Sequence, residues 1–194
     1  MIDLRELYQD IEKYIDKEIT IKGWIRRHRK QKEFGFIDFS DGTSFKHLQV
    51  VYNKNTQDFE KIDSLKHGSS IAVIGRLVKS EGAGQDYEVQ ASSITLEGDC
   101  SDDYPLQPKQ HSREFLREIS YLRPRANLFQ AVFRVRSIAA MAIHTYFQER
   151  GYVYLHAPLI TASDCEGAGE MFQVTTLDLD KVASNGKVDY SKDF

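Results

Sequence analysis

Hydrophobic positions at the start of the chain recur at helical spacing. Leu4, Leu7, Tyr8, Ile11 and Ile15 fall on one face, and Asp3 followed by Glu6 has the spacing of a capping box. The pattern predicts a short amphipathic helix. Runs that alternate or are rich in β-branched residues follow at 18–29, 33–39, 45–52, 70–79 and 87–96, separated by turn signals such as Asp41-Gly42 and Glu81-Gly82-Ala83-Gly84. Between the third and fourth runs, Phe59, Ile62 and Leu65 return to helical spacing, and Gly68 is placed to stop that helix at its C′ position.

Five strands with a helix between the third and fourth is the order of an OB-fold, a β-barrel whose strand 2 to 3 face commonly binds oligonucleotides. Side-chain parity assigns the faces. In the second run Gly35, Ile37 and Phe39 share one side and Phe34, Phe36 and Asp38 the other; the side carrying an acid is the poorer candidate for the core. In the third run Leu48, Val50 and Tyr52 read as one side, and His47, Gln49 and Asn53 as the more polar one. Phe36 and Gln49 therefore form a candidate pair in which a base is stacked and then read on its edge. The same parity also fits a Phe36 packed into a satellite core. Strict alternation puts Arg29 with Ile21 and Ile25, unless Gly23 marks a bulge or the strand has ended.

Charge sharpens this picture. The 194-residue chain has a formal charge of −3, yet residues 22–32 hold six basic side chains, with His28 among them and no acid, while residues 80–104 contain acids and no base. A basic patch on an acidic protein points toward nucleic acid. Hydrophobic content of 41% with 28% charged residues describes a globular protein. The most apolar window, 138–147, is well short of a bilayer span, and the acidic N-terminus lacks a secretory pattern, so a cytoplasmic protein without membrane contact is expected. Cys100 and Cys165 are too far apart for a CxxC site, so neither a disulfide framework nor a metal site is expected.

Residues 101–110 carry two prolines and read as a linker. Six arginines follow in 111–136, consistent with a salt-bridged connector or with a hinge against an RNA backbone, and Pro124 breaks helical continuity. Residues 127–150 are helical in pattern and apolar on most faces, which requires burial in the same domain or against a second subunit. Gly151 ends that helix, and 152–157 (YVYLHA) alternates as a strand up to Pro158. Residues 161–172 read as a loop, and Gly167-Ala168-Gly169 fits neither a dinucleotide fingerprint nor a P-loop.

The stretches GWIRRHRKQKEFGFIDFSDG, LRPRANLFQAVFRVRS and ITASDCEGAGEMF resemble the asparaginyl-tRNA synthetases, class II enzymes with an N-terminal anticodon-binding OB-fold. The resemblance covers essentially the whole chain, and the REFLREISYLRPR hinge looks like the asparagine branch. It implies an OB-fold followed by the start of an α+β class II catalytic domain, divided as 1–104, a hinge at 105–128, and 129–194. It implies that Phe36 stacks on the central anticodon base, that Gln49 hydrogen-bonds a base edge and that Arg29 contacts phosphate or base. Glu166, with Ser163 as companion, would hold the α-ammonium group of L-asparagine. The helix and strand ending at Pro158 would be motif 1, with Phe133, Ile143, Phe147 and Pro158 at a homodimer interface.

The family ligates asparagine to tRNA(Asn) through an adenylate, using ATP and Mg²⁺ held by two later motifs, an Arg-x-Glu and a Gly-x-Gly-x-x-x-Arg segment. Neither is present in this sequence. The expectation is an N-terminal fragment that carries tRNA recognition and motif 1, has no catalytic residues of its own and does not aminoacylate. The alternatives are a non-catalytic OB-fold protein for single-stranded nucleic acid, and an aspartate-charging relative.

Overall fold

The computed structural model describes residues 1–82, 84–160, 172 and 174–176. It falls into two compact units, Met1–Thr145 and Tyr146–Phe194.

Helix α1 (Leu4–Gln9) opens the first unit, and its N-cap Asp3 accepts a hydrogen bond from the Glu6 backbone N–H, as the capping spacing predicts. A 3₁₀ turn (Ile11–Lys13) replaces the expected further helical turn. Five strands follow: β1 (Glu18–Lys30), β2 (Phe34–Ser40), β3 (Leu48–Asn53), β4 (Ser70–Lys79) and β5 (Tyr87–Gly98). They close a barrel in the order β1-β2-β3-β5-β4. Every pairing is antiparallel except β3 with β5, which is parallel and completes the circuit. The third strand starts at Leu48, later than its sequence pattern, because Asp41 ties the preceding loop through its carboxylate to the Thr43 N–H and hydroxyl and to the Leu4 N–H.

Alternation then fills the barrel. Ile21, Ile25, Ile37, Phe39, Leu48, Val50, Tyr52, Ile71, Val73, Leu77 and Val89 are buried inside it, with Leu4 and Leu7 from α1 joining the same core. Burial of such side chains stabilises the fold by roughly 1.5–3 kcal/mol each before entropy is charged against it. Gly35 sits directly against the Tyr52 ring, with no room for a Cβ, so the absence of a side chain there is what lets Tyr52 fill the barrel.

Helix α2 (Phe59–Ser64) lies between β3 and β4 and buries Ile62. It stops at Leu65, which turns to an extended conformation, so Gly68 is not its C′ residue. Gly68 instead has φ +88 in the following loop, where its N–H donates to the Ile25 carbonyl and Cys100 Sγ occupies the place of a side chain.

Past the barrel, Leu106 is buried, and Ser112 caps the short helix α3 (Arg113–Glu118). Pro124 sits in a 3₁₀ turn (Arg123–Arg125) ahead of helix α4 (Asn127–Gln148), and Gly151 has φ +81 beyond the helix end. No residue of α4 is buried. Residues 152–157 do not form the expected strand: a strand needs a neighbour for its N–H and C=O groups, and none of the described residues supplies one.

Candidate nucleic-acid interface

Strand β1 is long enough to pair with β4 over Glu18–Trp24 and with β2 over Trp24–Lys30, and a bulge interrupts the second pairing. Ile25 pairs with Phe39, but Arg27 pairs with Asp38, leaving Arg26 as the extra residue. This reverses the parity of the basic stretch. Ile19, Ile21 and Ile25 point inward before the bulge, whereas after it His28 pairs with the inward Ile37 and Arg29 with the outward Phe36. The Arg29 conflict is thus resolved by a bulge at Arg26 rather than at Gly23.

The residues displaced inward anchor the strand. Arg26 is partly buried, which lowers its pKa, and its guanidinium donates to the Arg125 carbonyl. His28 places Nδ1 3.0 Å from the Leu65 carbonyl and Nε2 2.6 Å from the Tyr52 hydroxyl, which donates to Asp63 at 3.0 Å. Burial lowers the His28 pKa, while burial and then Asp63 raise that of Tyr52. The basic strand end is thereby tied to α2.

The outward face brings the three candidate residues together. The Arg29 guanidinium lies over the Phe36 ring, 5.1 Å from its centroid, and donates to Gln49 Oε1 at 3.1 Å. Gln49 Nε2 donates to Glu88 Oε2 at 3.1 Å, and the same carboxylate oxygen accepts from Ser80 Oγ at 2.8 Å. Phe34 meets Phe36 edge to face at 5.4 Å and is itself exposed, and Asp38 is paired with His47 at 2.9 Å. Phe36 is half-buried rather than fully exposed. An aromatic platform, an amide with spare hydrogen-bonding capacity and a cationic rim is what stacking and reading an unpaired base requires.

Sequence reasoning missed Glu88. It reaches Gln49 only through the parallel β3–β5 pairing, in which Gln49 and Glu88 are directly in register across 39 residues of sequence. The one available signal was an acid alternating with the inward Val89 in the fifth run.

Three of the six arginines in 111–136 are held by rings or a carbonyl. Arg123 lies over Phe129 and Phe133 at 5.2 and 5.5 Å, Arg125 lies over Trp24 at 5.5 Å, and Arg134 donates to the Gly42 carbonyl. A cavity of about 380 Å³ beside Trp24, Arg26 and Arg125 is separate from Phe36 and Gln49. Among the named interface residues, Ile143 and Phe147 are 61% and 47% exposed, Pro158 is exposed, and Phe133 is covered in part by Arg123. Glu166 and Ser163 lie outside the described residues. Among the described residues no cluster of three or more His, Cys, Asp or Glu side chains is suited to hold a metal ion, and no helix is long and apolar enough to cross a membrane.

Residues 19–97 match the family of OB-fold nucleic acid binding domains, and residues 112–183 match the class II tRNA synthetases (D, K and N). The asparagine–tRNA ligase of Clostridium tetani is 55% identical over 195 residues, covering 100% of this chain and 42% of that protein. The asparagine–tRNA ligase of Acholeplasma laidlawii is 54% identical over 196 residues with the same coverage. The chain therefore spans 42% of the length of these relatives. The structure of asparaginyl-tRNA synthetase from Pyrococcus horikoshii complexed with asparaginyl-adenylate superposes with a TM-score of 0.77 at 23% identity, over 91% of this chain and 41% of that one. At that identity the superposition shows a shared fold.

Proposed function

We infer that this chain, which belongs to the class II tRNA synthetases of the D, K and N group, is the tRNA-recognising part of an asparagine–tRNA ligase. The complete protein would join L-asparagine to tRNA(Asn) at the expense of ATP, which is cleaved to AMP and pyrophosphate. In this reading residues 1–104 bind the anticodon, 105–128 form the hinge and 129–194 begin the catalytic domain. In this reading ATP and Mg²⁺ would be held by the two later motifs of the complete protein.

The observation that carries this reading is the convergence of Arg29, Phe36 and Gln49 on one outward face of the barrel. Phe36 supplies a stacking surface for the central anticodon base, Gln49 reads its edge, and Arg29 adds a cation beside it. Glu166, assisted by Ser163, would hold the α-ammonium group of asparagine in the complete protein. Helix α4 would bury its apolar side, with Ile143 and Phe147, against the same helix of a second copy, with Phe133 and Pro158 at the edge of that contact. The exposed Val135, Ile138 and Met141 support such a partner.

The test is a titration of the chain with two RNA stem-loops that differ only in the anticodon, GUU for asparagine and GUC for aspartate, at fixed moderate salt. Preference for GUU is the expected result. Equal binding of the two, and of an unstructured strand, would make the barrel a general single-strand binder and overturn the reading.

A further inference from the structure

The interior side of β1 past its bulge is tied to α2 by three contacts in series. His28 Nδ1 meets the Leu65 carbonyl at 3.0 Å, His28 Nε2 meets the Tyr52 hydroxyl at 2.6 Å, and that hydroxyl meets Asp63 Oδ1 at 3.0 Å. Each contact needs a hydrogen between its two heavy atoms. A carbonyl and a carboxylate only accept, so the two outer contacts take their hydrogens from Nδ1 and from the hydroxyl. Nothing is then left for the middle contact, because a neutral imidazole carries one N–H and a phenol one O–H. Turning the hydroxyl toward Nε2 only moves the deficit, setting the Tyr52 oxygen against the Asp63 carboxylate with no hydrogen between them. An imidazolium supplies the third hydrogen, and imidazole is a stronger base than a carboxylate.

Burial works against that third proton and holds the His28 pKa below its ordinary value; the Leu65 carbonyl and Asp63 favour the proton, and Lys30 on the same strand opposes it. Tyr52, from β3, stays neutral because burial and then Asp63 push its own pKa up, and Ile37, opposite His28 on β2, carries no charge. Near neutral pH the free chain therefore keeps His28 uncharged and the series one hydrogen short. Lys30 is exposed, as are Arg27 and Arg29 on either side of His28, so a polyanion can reach the charges that oppose the imidazolium. We propose that His28 is a proton-binding site coupled to RNA binding: phosphates gathered on Arg27, Arg29 and Lys30 offset the opposing charge, and the proton then taken up completes the tie between β1 and α2. The proposal rests on the reading of the basic rim as an RNA surface. Coupling of this kind is reciprocal, so protons strengthen RNA binding as much as RNA strengthens proton binding. It depends on phosphate charge and is indifferent to base identity.

The experiment follows the His28 ring by NMR between about pH 5 and 8, the range of histidine, in the 194-residue chain with and without a GUU stem-loop. RNA affinity is measured at both ends of that range, and thermal unfolding checks that each variant is folded. RNA should raise the His28 midpoint by roughly half a pH unit, which corresponds to about a threefold gain in affinity toward acid. Asp63→Asn brings an amide N–H that can donate to the Tyr52 oxygen, freeing the hydroxyl to donate to Nε2. Three hydrogens then serve three contacts without an added proton, so His28 should stay neutral to the acid end and the affinity gain should shrink. Tyr52→Phe keeps the ring and the Asp63 charge but breaks the series, and should act in the same direction. A His28 midpoint unchanged in Tyr52→Phe would overturn the proton site, since charge alone would then explain the titration. A midpoint that RNA does not move, with binding still dependent on Phe36, would overturn the coupling and leave the RNA reading standing. Binding indifferent to Phe36→Ala would overturn that reading itself.

Discussion

The barrel and helix α4 are built from similarly apolar sequence, and they dispose of it in opposite ways. In the barrel, Ile37, Phe39, Leu48, Val50 and Val73 are completely buried by partners from other strands. In α4, Val135, Ile138, Met141 and Ile143 are 61–70% exposed, and no residue of the helix is buried. A two-residue period sends one side of each strand into a closed interior, so five strands supply one another with cover. A lone helix that is apolar on most sides has nothing comparable to turn toward. The difference shows that a hydrophobic pattern states a demand for burial, and only topology states whether the chain itself can meet it.

Truncating one side chain in each region tests this contrast most directly. Ile37→Ala should cost about 2–5 kcal/mol of unfolding free energy in denaturant titration, whereas Ile138→Ala should stay within about 0.5 kcal/mol for the isolated chain. Equal losses would mean that α4 is covered in solution. Next in size, Phe36→Ala should weaken anticodon stem-loop binding by about 1–3 kcal/mol, the value of one base stack, and leave self-association measured by sedimentation unchanged. Ile143→Asp should do the reverse, lowering self-association and sparing RNA binding. A substitution that moved both readouts would join the two regions into one functional surface.

Smaller effects refine the picture of the barrel. Arg27 is outward after the bulge, in register with Asp38, and so adds an exposed cation to the face that the proposed function gives to RNA. Arg27→Ala should reduce the slope of log affinity against log salt by about 0.7, the increment for one neutralised phosphate on a single strand, with no change in base preference. The last effect is confined to alkaline pH. Burial first, and then Asp38, push the Tyr8 pKa up to about 12, and its hydroxyl donates to the His47 carbonyl at 2.7 Å. An unfolded tyrosine ionises near about 10, so the unfolded chain releases its proton first. The contribution of Tyr8 is complete below that pH and is lost as pH rises through the folded value. Unfolding measured between those limits should show a shallower decline in Tyr8→Phe.

The face that holds Arg29, Phe36 and Gln49 is largely legible in the amino-acid pattern. Phe36 and Gln49 sit on the sides that alternation assigns them, because the period of a strand is local. Arg29 is ambiguous for an equally definite reason: a bulge changes parity, and it forms at Arg26 rather than at Gly23, the residue that advertises one. The role of Gly68 differs from its expected one for a related cause. Its positive φ is foreseeable, but helix α2 ends earlier, at Leu65, whose carbonyl is engaged by His28 from β1.

Local pattern sufficed for the number and sequence order of the barrel strands, the inward and outward sides of β2 and β3, and the capped first helix, all of which follow from interactions between residues near in the chain. Long-range packing was needed to bring Glu88 to Gln49, to place Tyr52 in the space over Gly35, and to leave residues 152–157 outside any strand. These outcomes depend on which distant segments become neighbours. A strand without a partner cannot satisfy its backbone, and an amide without fixed neighbours has no fixed polarity.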